Sequence, residues 1–306
     1  MHFLLLIIFY PILKVKKFNE GGFYVKVAFW SNANGPSGVS ANLAAISVAS
    51  AISYPYTITV MENHICSNNL GQSYFSNHNL KYIRERGVYY EGGGIEGLLR
   101  KVHRGDFLKE EVSDYRETII NKHLYYIPQS KVIHNNTFSY ELYINAQSFF
   151  NLLEKTTDII FIDTAKDNIS TKTILEESDL IVVNLIDDSV IHEDFFTHNS
   201  FLRDKSIFLV GMTADISGQH RTKLSDKYQI PFERIVEIPY NEFFNRAFHT
   251  GRVVEYISTN YQCDKSDDNF PFIQSIRKAT KMIIRRTFYL REEKQRKKLE
   301  KVCLEK

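Results

Sequence analysis

The chain reads as an α/β protein: a doubly wound, mostly parallel sheet with helices on both faces, followed by a basic C-terminal helix. Three observations predict this. Apolar runs at residues 25–30, 159–162, 180–185 and 206–211 are continuous rather than alternating, the pattern of strands buried on both faces. Stretches with helical spacing separate them, so successive strands need crossover connections, which are right-handed. The first run, Val25-Lys26-Val27-Ala28-Phe29-Trp30, breaks at Ser31-Asn32-Ala33-Asn34-Gly35-Pro36-Ser37-Gly38, a cluster of turn formers, before a helix-like stretch. Strand, glycine-bearing turn and helix start in that order build a phosphate site, because free N–H groups and the positive end of the helix dipole converge there.

At 306 residues and 43% hydrophobic content the chain can bury one large core, or one domain with an appendage. A formal charge of +2 gives no global case for nucleic acid or membrane. Cys66, Cys263 and Cys303 are odd in number and far apart, so neither a disulfide framework nor a zinc site is indicated, and a reducing cytoplasm is the simplest home. The apolar segment at residues 3–13 falls short of the ~20 residues a spanning helix needs. It also lacks the flanks of a secretory signal. Codons for Asn19-Glu20-Gly21-Gly22 can contain a bacterial ribosome-binding sequence, and Val25 can be a GTG start. Residues 1–24 are therefore expected to be leader that the native protein lacks, a hydrophobic membrane-associated arm being the alternative.

The helix after the turn cluster is expected over Val39–Ser53, with Leu43, Ile46 and Ala49 on one stripe. Against the pattern G-x-x-x-x-G-K-[ST], the second glycine falls on Gly38 and the hydroxyl on Ser40, while Ala33 replaces the first glycine and Val39 the lysine. The segment Asn34-Gly35-Pro36-Ser37-Gly38-Val39-Ser40, continued by Ala41-Asn42-Leu43-Ala44, resembles the K-G-G-x-G-K-T loop and S-A-N-L-A helix start of the ParA/MinD family of deviant Walker A ATPases. The resemblance implies a P-loop NTPase-like fold, ATP held by the residues from Asn34 to Ala41, magnesium held by Ser40 and a strand-end acid, and a homodimer across the nucleotide. Asn34 and Val39 stand where the family has its two lysines. Those cations stabilise the charge of phosphoryl transfer, so hydrolysis is expected to be slow or absent and nucleotide binding weak. Pro36 offers no N–H to the cradle.

The next β-prone run, Thr57-Ile58-Thr59-Val60-Met61, ends at Glu62-Asn63-His64. The resemblance gives Glu62 the place of a family Asp that helps hold magnesium and water, a catalytic role; a loop glutamate in solvent is the competing reading. His64 reads as a turn residue, since nothing nearby in sequence orients it. Glu91-Gly92-Gly93-Gly94 reads as a flexible helix entry rather than a phosphate loop, because no strand precedes it. Residues 94–112 resemble the family's short helical insert, and His123-Leu124-Tyr125-Tyr126-Ile127-Pro128 reads as a strand closed by proline. The tyrosines of this middle region are read as core edges or partner surface.

The second anchor is Asp158-Ile159-Ile160-Phe161-Ile162-Asp163-Thr164-Ala165, an apolar run that delivers an acid to a ligand crevice at its carboxyl end. It resembles the family's Walker B strand, which implies a magnesium role for Asp163. Two further strands follow at residues 178–185 and 206–211, with a helix expected over residues 187–196. The second strand leads to Met212-Thr213-Ala214-Asp215 rather than to the family's adenine-reading asparagine. Arg234-Ile235-Val236-Glu237-Ile238-Pro239-Tyr240-Asn241 and a helix over residues 243–254 resemble the family's closing segment, which implies that Pro239 and Tyr240 lie beside the base.

The P-loop-like domain is thus expected over residues 25–260, a polar linker over 261–270 and one helix over 271–306. Ile273, Ile276, Thr280, Ile283, Thr287 and Leu290 recur at helical spacing and should dock that helix. The basic stretch Arg291-Glu292-Glu293-Lys294-Gln295-Arg296-Lys297-Lys298 reads as a solvated tail. Contact with anionic lipid or an acidic partner comes second, and nucleic acid third because aromatics are not interleaved with the charge. The resemblance is strongest toward CpaE- and TadZ-like relatives with altered loops, which implies a cytoplasmic positioning or scaffold protein, peripheral to the inner membrane face, that recruits a surface, pilus or secretion assembly. An active ATPase with a cation relocated to Lys166 or Arg221, and an adaptor that binds no nucleotide, are the alternatives.

Overall fold

The computed structural model describes residues 24–64, 70–76, 93–105, 109–129, 134–213 and 219–304. The expected leader, apart from Tyr24, lies outside the described residues, as does the stretch 214–218. Eight strands form one sheet: β1 Val25–Trp30, β2 Ile58–Glu62, β3 Glu117–Ile120, β4 Leu124–Tyr126, β5 Ile159–Asp163, β6 Leu180–Ile186, β7 Ser206–Thr213 and β8 Ile235–Pro239. Their order is β3-β4-β2-β5-β1-β6-β7-β8. All neighbours are parallel except the edge pair β3 and β4.

The continuous apolar runs are explained by two separate cores. In β1, Val25, Val27 and Phe29 face one layer, while Ala28 and Trp30 face the other. The first layer is covered by α1 Val39–Ser53, the short α2 Gly71–Tyr74, α8 Glu242–His249, α9 Val253–Asn260 and α10 Phe270–Leu304. The second is covered by α3 Gly94–Arg104, α4 Asn135–Glu154, α5 Ile169–Glu177, α6 Ser189–His198 and α7 Gln219–Tyr228. With both faces of the central strands β1, β5 and β6 buried, those strands carry near-continuous apolar runs rather than an alternation. Both helix layers and the mostly parallel sheet are those expected from the sequence.

Three local expectations need correction. The closing helix is broken in two at Gly251, whose φ is 74°; a Cβ there would overlap the backbone of Phe75, so the chain turns sharply where α2 and α9 meet. Gly94 is likewise no loose entry: its φ is 69°, a Cβ would strike the Pro128 carbonyl, and Ile95 N donates to that carbonyl at 2.9 Å. Finally, the basic stretch does not begin as a solvated tail. Arg291 pairs with Asp158 at 2.7 Å, and Lys294 donates to Asp179 at 2.7 Å and to the Tyr24 carbonyl at 3.0 Å, pinning α10 at the amino edge of β1, β5 and β6. Ile273, Ile276, Thr280, Ile283 and Thr287 are buried as their spacing predicts, and α10 shares one core with α1. Among the described residues, no helix is long and apolar enough to cross a membrane.

Candidate functional site

At the carboxyl edge of the sheet the chain leaves β1 toward β2 on one side, while β5 leads to β6 on the other. Such a reversal opens a crevice, and ligands of doubly wound sheets bind there. The loop of residues 31–38 lines it. Asn32 anchors the loop, its amide donating to the Ile191 carbonyl at 2.9 Å and to Asp194 Oδ2 at 2.8 Å on α6. Gly35 and Gly38 have φ of 107° and 76°, left-handed values that suit glycine. That conformation lets the Gly38 carbonyl accept from Asn42 N at 2.8 Å and start α1 without a side-chain cap or an acid in its first turn. The N–H groups of that turn therefore have no competing anion. Asn34, Gly35 and Pro36 are exposed, Ser37 is buried, and Gly38, Val39, Ser40 and Ala41 are half-buried. Val39 packs against the first core, so the lysine position contributes apolar contact and no charge. Asn42, one turn in, donates to Asn184 Oδ1 on β6 at 2.8 Å, fixing the helix start against the sheet.

Opposite the loop, register places Glu62 on β2 beside Asp163 on β5, and Asp163 beside Phe29 on β1. Glu62 is no solvent glutamate. It is fully buried, with Oε1 accepting from Leu70 N at 2.6 Å and Oε2 from the Tyr126 hydroxyl at 2.7 Å. Burial pushes its carboxyl well above the usual range, His64 pulls it back and Asp163 pushes it up again. Tyr126, expected at a core edge or partner surface, thus serves the site. His64 also belongs here: its Nε2 lies 3.3 Å from Asp163 Oδ1. Asp163 Oδ2 is buried with no hydrogen-bond partner among the described residues.

Asn63 ties the two strand ends together. Its Oδ1 accepts from Ala165 N at 2.6 Å, its carbonyl accepts from Asn168 Nδ2 at 2.9 Å, and its N donates to the Asp163 carbonyl at 3.0 Å. Sequence reasoning passed over Asn63 and read His64 as a turn residue. The signal was there: Glu62 and His64 are two apart at a strand end, a spacing that turns both side chains to the same side.

Lys166, on the stretch after β5, reaches the loop and donates to Asn34 Oδ1 at 2.6 Å, while its carbonyl accepts from the Trp30 indole at 3.0 Å. Arg221, the other candidate cation, is committed elsewhere: its guanidinium bonds the Phe232 carbonyl and lies over that ring at 3.4 Å, and its N–H donates to Glu237 at 2.8 Å. Pro239 ends β8 and is buried, whereas Tyr240 is exposed, three strands from β1.

No protein-family model and no curated protein matches the chain. Solved structures do. A ParA family ATPase from Chlorobium tepidum superposes with a TM-score of 0.62 at 12% identity, over 84% of this chain and 98% of that one. MinD in its complex with MinC from Aquifex aeolicus gives 0.57 at 13% identity, over 85% and 95%. A plasmid partition protein from Borrelia burgdorferi, bound to AMPPNP, gives 0.53 at 15% identity, over 86% and 99%. The eight-stranded, mostly parallel sheet with its C-terminal helix therefore has the ParA/MinD fold.

Proposed function

We propose that this chain is a ParA/MinD-like nucleotide-binding positioning protein, cytoplasmic or peripheral to a membrane face, that recruits or localises a surface, pilus or secretion assembly. The observation that carries the reading is the crevice itself: an uncapped α1 start behind two left-handed glycines, together with a buried aspartate one oxygen of which has no partner among the described residues. ATP phosphates suit the first, and a magnesium ion shared by Ser40 and Asp163 suits the second. Pro239 and Tyr240 are the residues proposed for the base, and Glu62 for ordering water beside the metal. A protein partner is suggested by the likeness to a MinC:MinD complex and a homodimer across the nucleotide by the resemblance of the loop to the ParA/MinD family; the basic end of α10 is the element proposed to touch anionic lipid. With Asn34 and Val39 in the lysine positions, hydrolysis is slow or absent, and the bound state acts as a switch.

A second reading is favoured by one contact. Lys166 Nζ sits 2.6 Å from Asn34 Oδ1, so a cation stands at the loop even though the loop carries none. In that reading Lys166 restores hydrolysis.

Calorimetric titration of magnesium-ATP into the full chain, repeated with Gly38→Asp, tests the proposal. Saturable binding that the variant loses supports the crevice, and a turnover assay on Lys166→Ala then separates switch from ATPase. No heat at millimolar nucleotide overturns it in favour of an adaptor without a nucleotide.

A further inference from the structure

Glu62, His64 and Asp163 each turn one ligating atom toward a common point, with those atoms all within 4.8 Å of one another. We propose that this trio directly binds a divalent transition-metal ion of the zinc or cobalt class, and that it does so without a nucleotide. The site shares Asp163 and Glu62 with the nucleotide reading, where the ion is magnesium held also by the Ser40 hydroxyl and phosphate oxygens, but its His64 donor is new and it needs neither the loop nor a nucleotide.

The donor set decides the class. Magnesium asks for six oxygens in near-ideal octahedral geometry and keeps several waters, whereas one imidazole beside two carboxylates suits zinc and its neighbours. The spacing agrees. With metal–ligand bonds of about 2.0–2.2 Å, two donors at a tetrahedral angle stand about 3.4 Å apart, and His64 Nε2 and Asp163 Oδ1 are 3.3 Å apart. Asp163 Oδ2 supplies the independent sign of a missing partner, since it is buried and bonds to nothing among the described residues.

Burial argues for occupancy. Glu62 and Asp163 are 0% and 1% exposed and adjacent in register. Two carboxylates taken from water so close together are costly unless a cation compensates them. The surroundings are those of a held ligand set: the Tyr126 hydroxyl and Leu70 N fix the Glu62 carboxylate, and Asn63 locks the two strand ends. Outer-shell bonds of this kind orient metal ligands. Three protein donors leave at least one coordination position open, the arrangement of a reactive rather than a purely structural ion.

The probe is cobalt(II) alone, added to the untagged full chain after removal of metals by a chelator. Calorimetry should find one ion per chain, visible absorption should show the intense bands of a low-coordinate cobalt site, and zinc should displace the ion where millimolar magnesium does not. His64→Ala should weaken cobalt by more than about 100-fold, beyond the 10–100-fold typical of an outer-shell change. His64→Gln, which keeps a polar side chain of similar reach, guards against a folding artefact and should lose the absorption bands with unchanged far-ultraviolet dichroism. Gly38→Asp should take up cobalt as the parent does, which separates this site from the loop. No uptake by the parent chain, equal displacement by magnesium, or parental affinity in His64→Gln overturns the proposal.

Discussion

His192 shows how a single side chain couples the loop support to pH. It lies on α6, the helix that anchors Asn32, and its Nε2–H donates to the Ile186 carbonyl at 2.7 Å at the end of β6. Burial lowers its pKa below the ordinary value, against the smaller upward pull of that hydrogen bond and of Asp187 and Asp188, while Lys227 adds to the lowering. The folded chain thus refuses a proton that the unfolded chain accepts below about pH 6.5. Stability is expected to fall as pH drops from neutrality through that value, and His192→Gln, which keeps the donor, should flatten the slope. Urea midpoints at pH 7.5 and 5.5 measure it; an equal drop in the variant would assign the slope to other groups. At this scale the sequence was legible only in part. Asp163 stood out because an apolar strand ended on it, whereas His64 is oriented by a residue 99 positions away, beyond the reach of any local pattern.

Among elements, α10 has the largest claim on the rest of the fold. Its apolar stripe was readable from spacing, and the buried Ile273, Ile276 and Ile283 follow it. Its pinning was not readable, because Arg291 and Lys294 find Asp158 and Asp179 more than a hundred residues earlier. The Arg291–Asp158 pair is largely withdrawn from water, with 12% and 29% of the side chains exposed. It should therefore exceed the ~0.2–1 kcal/mol of exposed pairs. A double-mutant cycle with Arg291→Ala and Asp158→Asn is expected to give a coupling of about 1–3 kcal/mol, in the range of hydrogen bonds to charged groups. A coupling near zero would show that the apolar stripe alone holds the helix. The break between α8 and α9 escaped the sequence for a similar reason: Gly251 is required by the backbone of Phe75, which no local pattern reveals.

For the whole molecule, the two cores share one sheet and so should fail together. Ile276 is fully buried in the first core, against α1 and the sheet. Ile276→Ala is expected to cost about 2–5 kcal/mol. The loss should lower protection equally for slowly exchanging amides of α10 and of α4 on the opposite face, as one cooperative unit does. Protection lost only around α10 would instead mean that the C-terminal helix unfolds by itself. Class and strand ends were legible because strands buried on both faces announce themselves by composition; which ends become neighbours depended on strand order, which local patterns do not encode.

The bond between the Trp30 indole and the Lys166 carbonyl has a practical consequence. The chain has one tryptophan, and it sits at the hinge between β1 and the stretch that carries Lys166 to the loop. All indole emission therefore arises from a single address beside the crevice, and the protein carries its own unlabelled optical gauge for any ligand that displaces Lys166.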